Sequence, residues 1–571
     1  MGWILRGARA LACLATLALA GGAHAAEDAP ATHAPDQVDF AMFFMADVRD
    51  SPECDVTVAG GRIDFGAAIT NPAMTCPDAF AWRLMADAVK AGFWENWSTN
   101  RQVWPSDPWP RCAAGTSGTG GTGGNCCPAV VTSNEAWPEH CPVFPGPTEG
   151  APEYGLAAPG VAAQVSLAEA APTDANGDGR IDWADVPAAL RTPVIGSVQG
   201  ELVYRNQPMV DYIFDRGLYA SDGLAGVFGN FSRTTETYAP YWPEPDDPAA
   251  GHAAPPATAA IVFPISSVMI KANWVAVEDA PKIGIDPNDP DNPFIRMDLV
   301  PIDQSNKKPD GTPATKPHIL VSFHISSKDT PNWFWSTFEH VSNQGRCDWI
   351  GCNDSFGHLV TSLPPLDGTS GLAPAARNFT PPHEVPSVEG FKQSAYVLGE
   401  RYLDVDTISD RLAAIFAAYG IGTAEGVNLS GRPTVADVAW RSYRLKGSQT
   451  GFVSPTGRPI RLGNSVTEAG FVNTASCVTC HARAGATEAG TPPLAIFTDT
   501  IDEIGMPQSV NGVPVEAWFN VNAYRNAAGV REAPGVIAVQ TDFVWGFRNA
   551  CPMKPVPFGP SWCKNVVPPK K

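Results

Sequence analysis

The sequence predicts an α+β protein in two unequal parts. A β-rich main domain with disulfides and long loops comes first, and a small, mainly α C-terminal domain follows. Three observations carry that expectation. Gly (53) and Pro (55) are abundant while charged residues make up only 17%, a composition of loops and strands rather than of a helical bundle. Four runs, 266–278, 295–303, 318–327 and 332–341, read as strands divided by Pro- and Asp-rich breaks. Thirteen cysteines point to a cross-linked protein in an oxidising compartment.

Taken in order, Arg6 and Arg9 precede an apolar run from Ala10 to Ala20, and Ala23-His24-Ala25 follows. A charged start, a short apolar middle and a small-residue site make residues 1–25 a cleavable secretory signal. The run is too short to span a bilayer comfortably, and no later stretch is long enough. The expected location is periplasmic, or otherwise exported.

Residues 26–160 form an N-terminal disulfide-rich region with a low-complexity loop at 113–125 (AAGTSGTGGTGGN). Within it 79–97 reads as a core helix with Phe80, Leu84, Ala88 and Ala91 on one stripe. Residues 161–435 form the β-rich main domain, and from about 199 to 345 the text reads as β. A Pro/Ala-rich loop at 240–258 and a Pro-rich connection at 361–388 interrupt it. A helix over 407–419 carries Ile408, Leu412, Ile415, Phe416 and Tyr419 on its apolar face, and Gly420 closes it.

Inside the main domain, 174–185 (DANGDGRIDWAD) has oxygen donors at the spacing of a calcium loop. Side chains of Asp174, Asn176, Asp178 and Asp185 and the Arg180 carbonyl would supply ligands, with Asp182 through water. Gly179 makes the sharp turn and Ile181 pins the loop. The segment resembles an EF-hand loop, with Asp185 where Glu is usual. The expected role is structural Ca2+ binding. The alternative is a solvated Asp/Asn/Gly turn.

Residues 436–571 hold the most constraining motif, Cys477-Val478-Thr479-Cys480-His481. In an exported protein this C-x-x-C-H pattern is the attachment site of a c-type haem. Two thiols three residues apart reach the two vinyl groups of one porphyrin, and the adjacent histidine ligates iron. Cys13 leaves with the signal. Ten cysteines then remain besides Cys477 and Cys480, an even number that suits disulfides. Short-range pairing gives Cys54 with Cys76, Cys347 with Cys352 and Cys551 with Cys563, while the four between 112 and 141 pair among themselves.

Around this motif the protein resembles monohaem class I cytochromes c. The resemblance covers at most 462–571 and implies a cytochrome c-like C-terminal domain with one covalent haem c, His481 as proximal ligand and a Met beside a proline as distal ligand. Met506, in Gly505-Met506-Pro507, is that candidate, and Met553 is the alternative. The family's aromatic residue four places before the first Cys is Asn473 here. The stretches 435–481 and 318–341 also resemble large exported proteobacterial proteins with one C-terminal C-x-x-C-H, which bring no reaction with them.

The net charge of −20 disfavours nucleic acid and anionic membranes and favours a redox partner with a basic docking patch. His324 and His340 read as histidines satisfied by hydrogen bonds in an aromatic-rich sheet, with service to the iron as the alternative. His324 shares a face with His318 if the strand is regular. Asp437 and Glu468 read as solvated carboxylates. No Ser-His-Asp arrangement, nucleotide loop or H-E-x-x-H is present, and no catalytic residue is assigned. The expected function is a periplasmic c-type cytochrome transferring electrons. Alternatives are a haem-dependent oxidoreductase on a small molecule and a haem-based gas or ligand binder.

Overall fold

The strand-like runs become the centre of a seven-stranded sheet in the computed structural model. Its strands are β1 (Glu153–Leu156), β2 (Gln199–Arg205), β3 (Val268–Ala276), β4 (Arg296–Pro301), β5 (Lys316–Ser327), β6 (Phe334–His340) and β7 (Tyr443–Gln449). They lie in the order β7, β6, β5, β3, β2, β1, β4, and β4 also pairs with β5. Neighbours are antiparallel except β1 with β4. Helices α1 (Pro77–Lys90), α2 (Gln207–Asp215), α3 (Ser221–Thr234), α4 (Asp410–Tyr419) and α5 (Cys477–Ala482) pack around it.

The structure describes residues 50–113 (except 52, 55, 60 and 61), 124–128, 140–144, 199–234, 260–301, 314–343, 354–357, 408–453, 459–468, 475–492 and 535–567 (except 558). It also describes the short pieces 153–156, 164–166, 191–192, 346, 397–398, 500–501, 506–507, 512–513 and 519–521. All of them fall in the unit 43–571. The expected signal 1–25, the expected calcium loop 174–185, the loops at 240–258 and 361–388, and Cys347 with Cys352 lie outside the described residues.

Each of the four expected strands forms: three are trimmed by one or two residues at each end, and the one expected at 318–327 starts two residues earlier, at Lys316. The expected helix at 79–97 starts earlier and ends at Lys90, because Gly92 turns left-handed (φ 61°). Ser409 caps α4 by accepting from the Leu412 amide, and Gly420 (φ 71°) closes it. Two helices, α2 and α3, interrupt the region expected to be β throughout. Asn206 caps α2 by accepting from the Met209 amide, Pro208 stands in its first turn, and Met209, Val210, Ile213 and Phe214 are buried on one face. Strand β7 lies beyond 435, so the segment that carries the motif begins inside the main sheet.

The two faces of the sheet differ in kind. Ile270, Ala272, Phe323, Ile325, Phe334, Phe338 and Leu445 pack against Trp82, Met85, Leu412, Ile415 and Phe416 of α1 and α4. Rings interlock there, with Phe338 5.0 Å from Trp82 and 4.9 Å from Phe323. Cross-strand register puts Lys271, His324 and Thr337 in one row of the other face and Asn273, Ser322 and Glu339 in the next. Alternating polar residues ordinarily mark a solvated face. Here His324, Thr337, Glu339, Asn273 and Ser322 are all buried, because the irregular segment 459–468 covers them. A bulge at Val321 breaks the alternation, since Asn273 opposes Ser322 while Trp274 opposes Leu320. His318 and His324 therefore do not share a face.

Disulfides join Cys54 with Cys76, Cys112 with Cys126, Cys127 with Cys141 and Cys551 with Cys563. Among the described residues no helix is long and apolar enough to cross a membrane.

Candidate haem-attachment site

Helix α5 has only six residues, too few to be stable on its own. Its ends explain its survival. The Ser476 side chain accepts from the Thr479 amide (3.4 Å) and from Gln449 Nε2 (2.9 Å). Gln449, the last residue of β7, also accepts from the Val478 amide (3.2 Å). At the far end Gln540 Nε2 donates to the Ala482 carbonyl (2.8 Å) and Trp545 Nε1 to the Cys480 carbonyl (3.1 Å). Val478 and Ala482 are fully buried in a core shared with Trp335, Phe452, Leu462 and Phe543. The sheet thus fixes the motif from one side and residues 540–545 fix it from the other.

Cys477 and Cys480 are the free cysteines among the described residues. Burial pushes both thiols above their ordinary pKa, Cys477 the further, so they stand as neutral thiols. The His481 Nδ1 lies 2.8 Å from the Phe543 carbonyl oxygen, to which it donates. That bond places the proton on Nδ1 and leaves Nε2 as a lone-pair donor. Packing around the ring pushes its pKa down to about 3, so the ring is neutral. The Trp335 ring lies 4.3 Å from the imidazole.

The carbonyl that holds His481 belongs to an unusual turn. Asp542 and Phe543 both have positive φ (46° and 66°), and Trp333 is the third non-glycine residue with positive φ among those described (60°). Each costs on the order of 1 to 3 kcal/mol and persists only when its surroundings hold it. Asp542 and Phe543 form the turn whose carbonyl holds His481, and Trp333 lies two residues before Trp335, whose ring packs on the imidazole. Lys328 and Asp542 supply one hold, an ion pair at 2.6 Å with both side chains buried.

Beside the motif lies the polar face of the sheet. Asn464 Nδ2 donates to His324 Nε2 (2.9 Å) and to Thr337 Oγ1 (3.2 Å), and Thr467 Oγ1 to Asn273 Oδ1 (3.1 Å). Glu339 pairs with Lys446 at 3.3 Å, with both side chains almost wholly buried, and accepts from the Ser465 amide and hydroxyl. Burial, then Lys271, His481 and Lys446, hold His324 well below its ordinary pKa. Its 3.7 Å approach to Glu468 is therefore not an ion pair. Burial opposes the charge of Lys271, but Glu201 and Glu468 more than offset it and its pKa is raised.

Two expectations about carboxylates fail. Asp437 is buried and accepts from Asn428, from the Thr434 amide and from the Thr434 hydroxyl. The Glu468 side chain is only 14% exposed, and burial raises its pKa. Both were expected to be solvated, because nothing in their sequence neighbourhood reveals the segment that covers them. His340 is held locally, with Nε2 3.2 Å from the Pro293 carbonyl oxygen, Nδ1 accepting from the Ser342 amide and the ring stacked on Phe294. Met506 lies in a two-residue strand paired with Thr500–Ile501. Met553 packs against the core around α5, and its amide donates to Asp222.

Sequence reasoning missed Lys271, Lys328, Trp335, Asp542 and the Phe543 carbonyl. A backbone carbonyl leaves no trace in sequence. Lys328 and Asp542 could have drawn notice only as paired charges, and 214 positions separate them. No family model matches the protein, and neither a curated protein nor a solved structure matches it.

Proposed function

We propose that this protein is an exported c-type cytochrome that carries one covalent haem and transfers electrons to or from a partner. One observation carries the reading. Eight described cysteines are joined in disulfides while Cys477 and Cys480 stay free, three residues apart on one helical turn, beside a histidine whose Nε2 is left as donor. This donor set fits haem c, with two thiols for thioether bonds and a neutral imidazole for iron.

Cys477 and Cys480 would hold the porphyrin and His481 would ligate the iron from the proximal side, with Met506 as the candidate distal ligand. Bound there, haem supplies a one-electron couple whose potential the ligands and surroundings set. The protein's own part is to fix and shield. Phe543 orients His481, Trp335 covers its ring, and Gln449 and Gln540 hold the helix ends. The disulfides suit an oxidising compartment. The partner would carry a basic patch to meet the net charge of −20. The resemblance of the C-terminal region to class I cytochromes belongs to this proposal.

The test is an absorption spectrum of protein from cells with c-type maturation machinery, taken oxidised, reduced and reduced with carbon monoxide. The proposal expects a low-spin spectrum indifferent to carbon monoxide. A high-spin or carbon-monoxide-sensitive spectrum would replace electron transfer with chemistry or gas binding at an open iron.

A further inference from the structure

We propose that Lys328 and Asp542 are positioning residues for His481. They hold the turn that presents the Phe543 carbonyl, so that the imidazole keeps its proton on Nδ1 and offers Nε2 in a fixed direction. This rests on the haem reading of Cys477 to His481.

The geometry of the turn carries the inference. Asp542 and Phe543 are consecutive left-handed residues with full side chains (φ 46° and 66°), a conformation the backbone does not keep unaided. Asp542 answers this with both carboxylate oxygens. Oδ1 accepts from Lys328 Nζ at 2.6 Å, and Oδ2 accepts from the Phe263 amide at 2.7 Å. Thr541 anchors the turn's start by donating its amide to the Ala484 carbonyl (2.8 Å), three residues past His481. Lys328 is itself held. It follows β5 directly, and its Nζ donates to the Pro331 carbonyl (2.8 Å) in the β5–β6 turn.

That same turn carries Trp333, the third left-handed residue, whose ring lies 5.8 Å from the Lys328 ammonium. It leads into Trp335, whose ring covers His481. The turn is therefore linked to the imidazole twice, through Trp335 just beyond it in β6 and through Lys328, Asp542 and the Phe543 carbonyl. A pair that served stability alone would not need to join the left-handed turn whose carbonyl holds the imidazole to the turn that leads into the ring covering it. Partners that bond the non-ligating nitrogen of a ligand histidine tune its donor strength. A firm Nδ1 hydrogen bond makes the imidazole a stronger donor and lowers the iron potential.

The experiment compares the haem-loaded parent with Lys328→Met, Asp542→Asn and Lys328→Arg. It measures midpoint potential and the iron–histidine vibration. Positioning predicts that Lys328→Met and Asp542→Asn both raise the potential and weaken the iron–histidine band, while Lys328→Arg stays near the parent. A pure charge effect would move the two variants in opposite directions, because one loses a positive charge and the other a negative one. Opposite shifts, or unchanged potential and band beside a lowered Tm, would overturn the inference. Where a variant fails to load haem, nitrogen NMR of the parent without haem decides it. His481 should be wholly the Nδ1–H tautomer, and an Nε2–H tautomer would overturn the inference. A parent that never attaches haem would defeat the functional reading and leave that NMR result to judge the turn.

Discussion

The two faces of the central sheet are built from the same strands in the same register, yet they are held by different forces. On the α1 and α4 side, Phe323, Phe334, Phe338 and Leu445 meet Trp82, Ile415 and Phe416 in a continuous apolar core. That attraction scales with buried area and has little direction. On the other side, Glu339, Lys446, His324, Thr337 and Asn273 are buried under the segment that leads to Cys477. There, each polar group must find its own partner or cost stability. The first face can accept many side chains of similar volume. The second accepts one docking of 459–468, the stretch that precedes the two thiols and the histidine in sequence.

The largest expected effects separate the faces by how a loss can be repaired. Lys446→Met leaves Glu339 as an unpaired buried charge and should cost about 3 to 5 kcal/mol, while adding Glu339→Gln should recover much of it. Phe338→Ala should cost a similar amount, about 3 to 5 kcal/mol, through a cavity, and neither polar substitution should restore it. Denaturant unfolding measures both. A cost below about 1 kcal/mol for Lys446→Met would mean that the polar face is wet.

Next in size is the response to pH, where the faces have opposite signs. Near the motif, burial holds His324 and His481 neutral, with His481 at about 3. The unfolded state binds protons at these positions first, so without haem stability is full above about pH 6.5 and falls as pH drops toward 3. At the start of α1, burial raises Asp50 to about 6 and Asp78 well above its ordinary value. Ionising them in the fold costs stability, which falls as pH rises from about 4 through 6. His324→Gln should flatten the acid limb and Asp50→Asn the opposite one. Thermal unfolding scanned from pH 3 to 8 would show it, and identical profiles for parent and variants would refute the assignment.

What the sequence made legible follows the same division. The strands at 268–276, 316–327 and 334–340 and helix α4 announce themselves because apolar periodicity is their cause. Trp333 and Trp335 alternate with Phe334 and Phe338 in the sequence, and the two pairs join different parts of the core. Strand β7 (YRLKGSQ) lacks β-branched residues and shows no such period. The polar face reads as solvated because alternation reports which residues share a side, not what covers that side. Asp437 and Glu468 were misjudged for the same reason. The C-x-x-C-H motif is legible because its chemistry lies in five consecutive residues, whereas the turn that aims its histidine depends on Lys328 and Asp542, far apart in sequence.

The smallest effect belongs to the calcium loop expected at 174–185. Asp174→Ala with Asp178→Ala should remove a calcium-dependent rise in Tm of a few degrees. A parent whose Tm ignores calcium would refute the loop assignment. The double substitution should leave both faces of the sheet unchanged.

The most direct test of the central claim is the intact mass of the parent protein under denaturing conditions, from cells that attach c-type haem. The account predicts a polypeptide heavier by one haem, with the increment lost in Cys477→Ala with Cys480→Ala. A parent without the increment, or one that sheds its haem on denaturation, would contradict it.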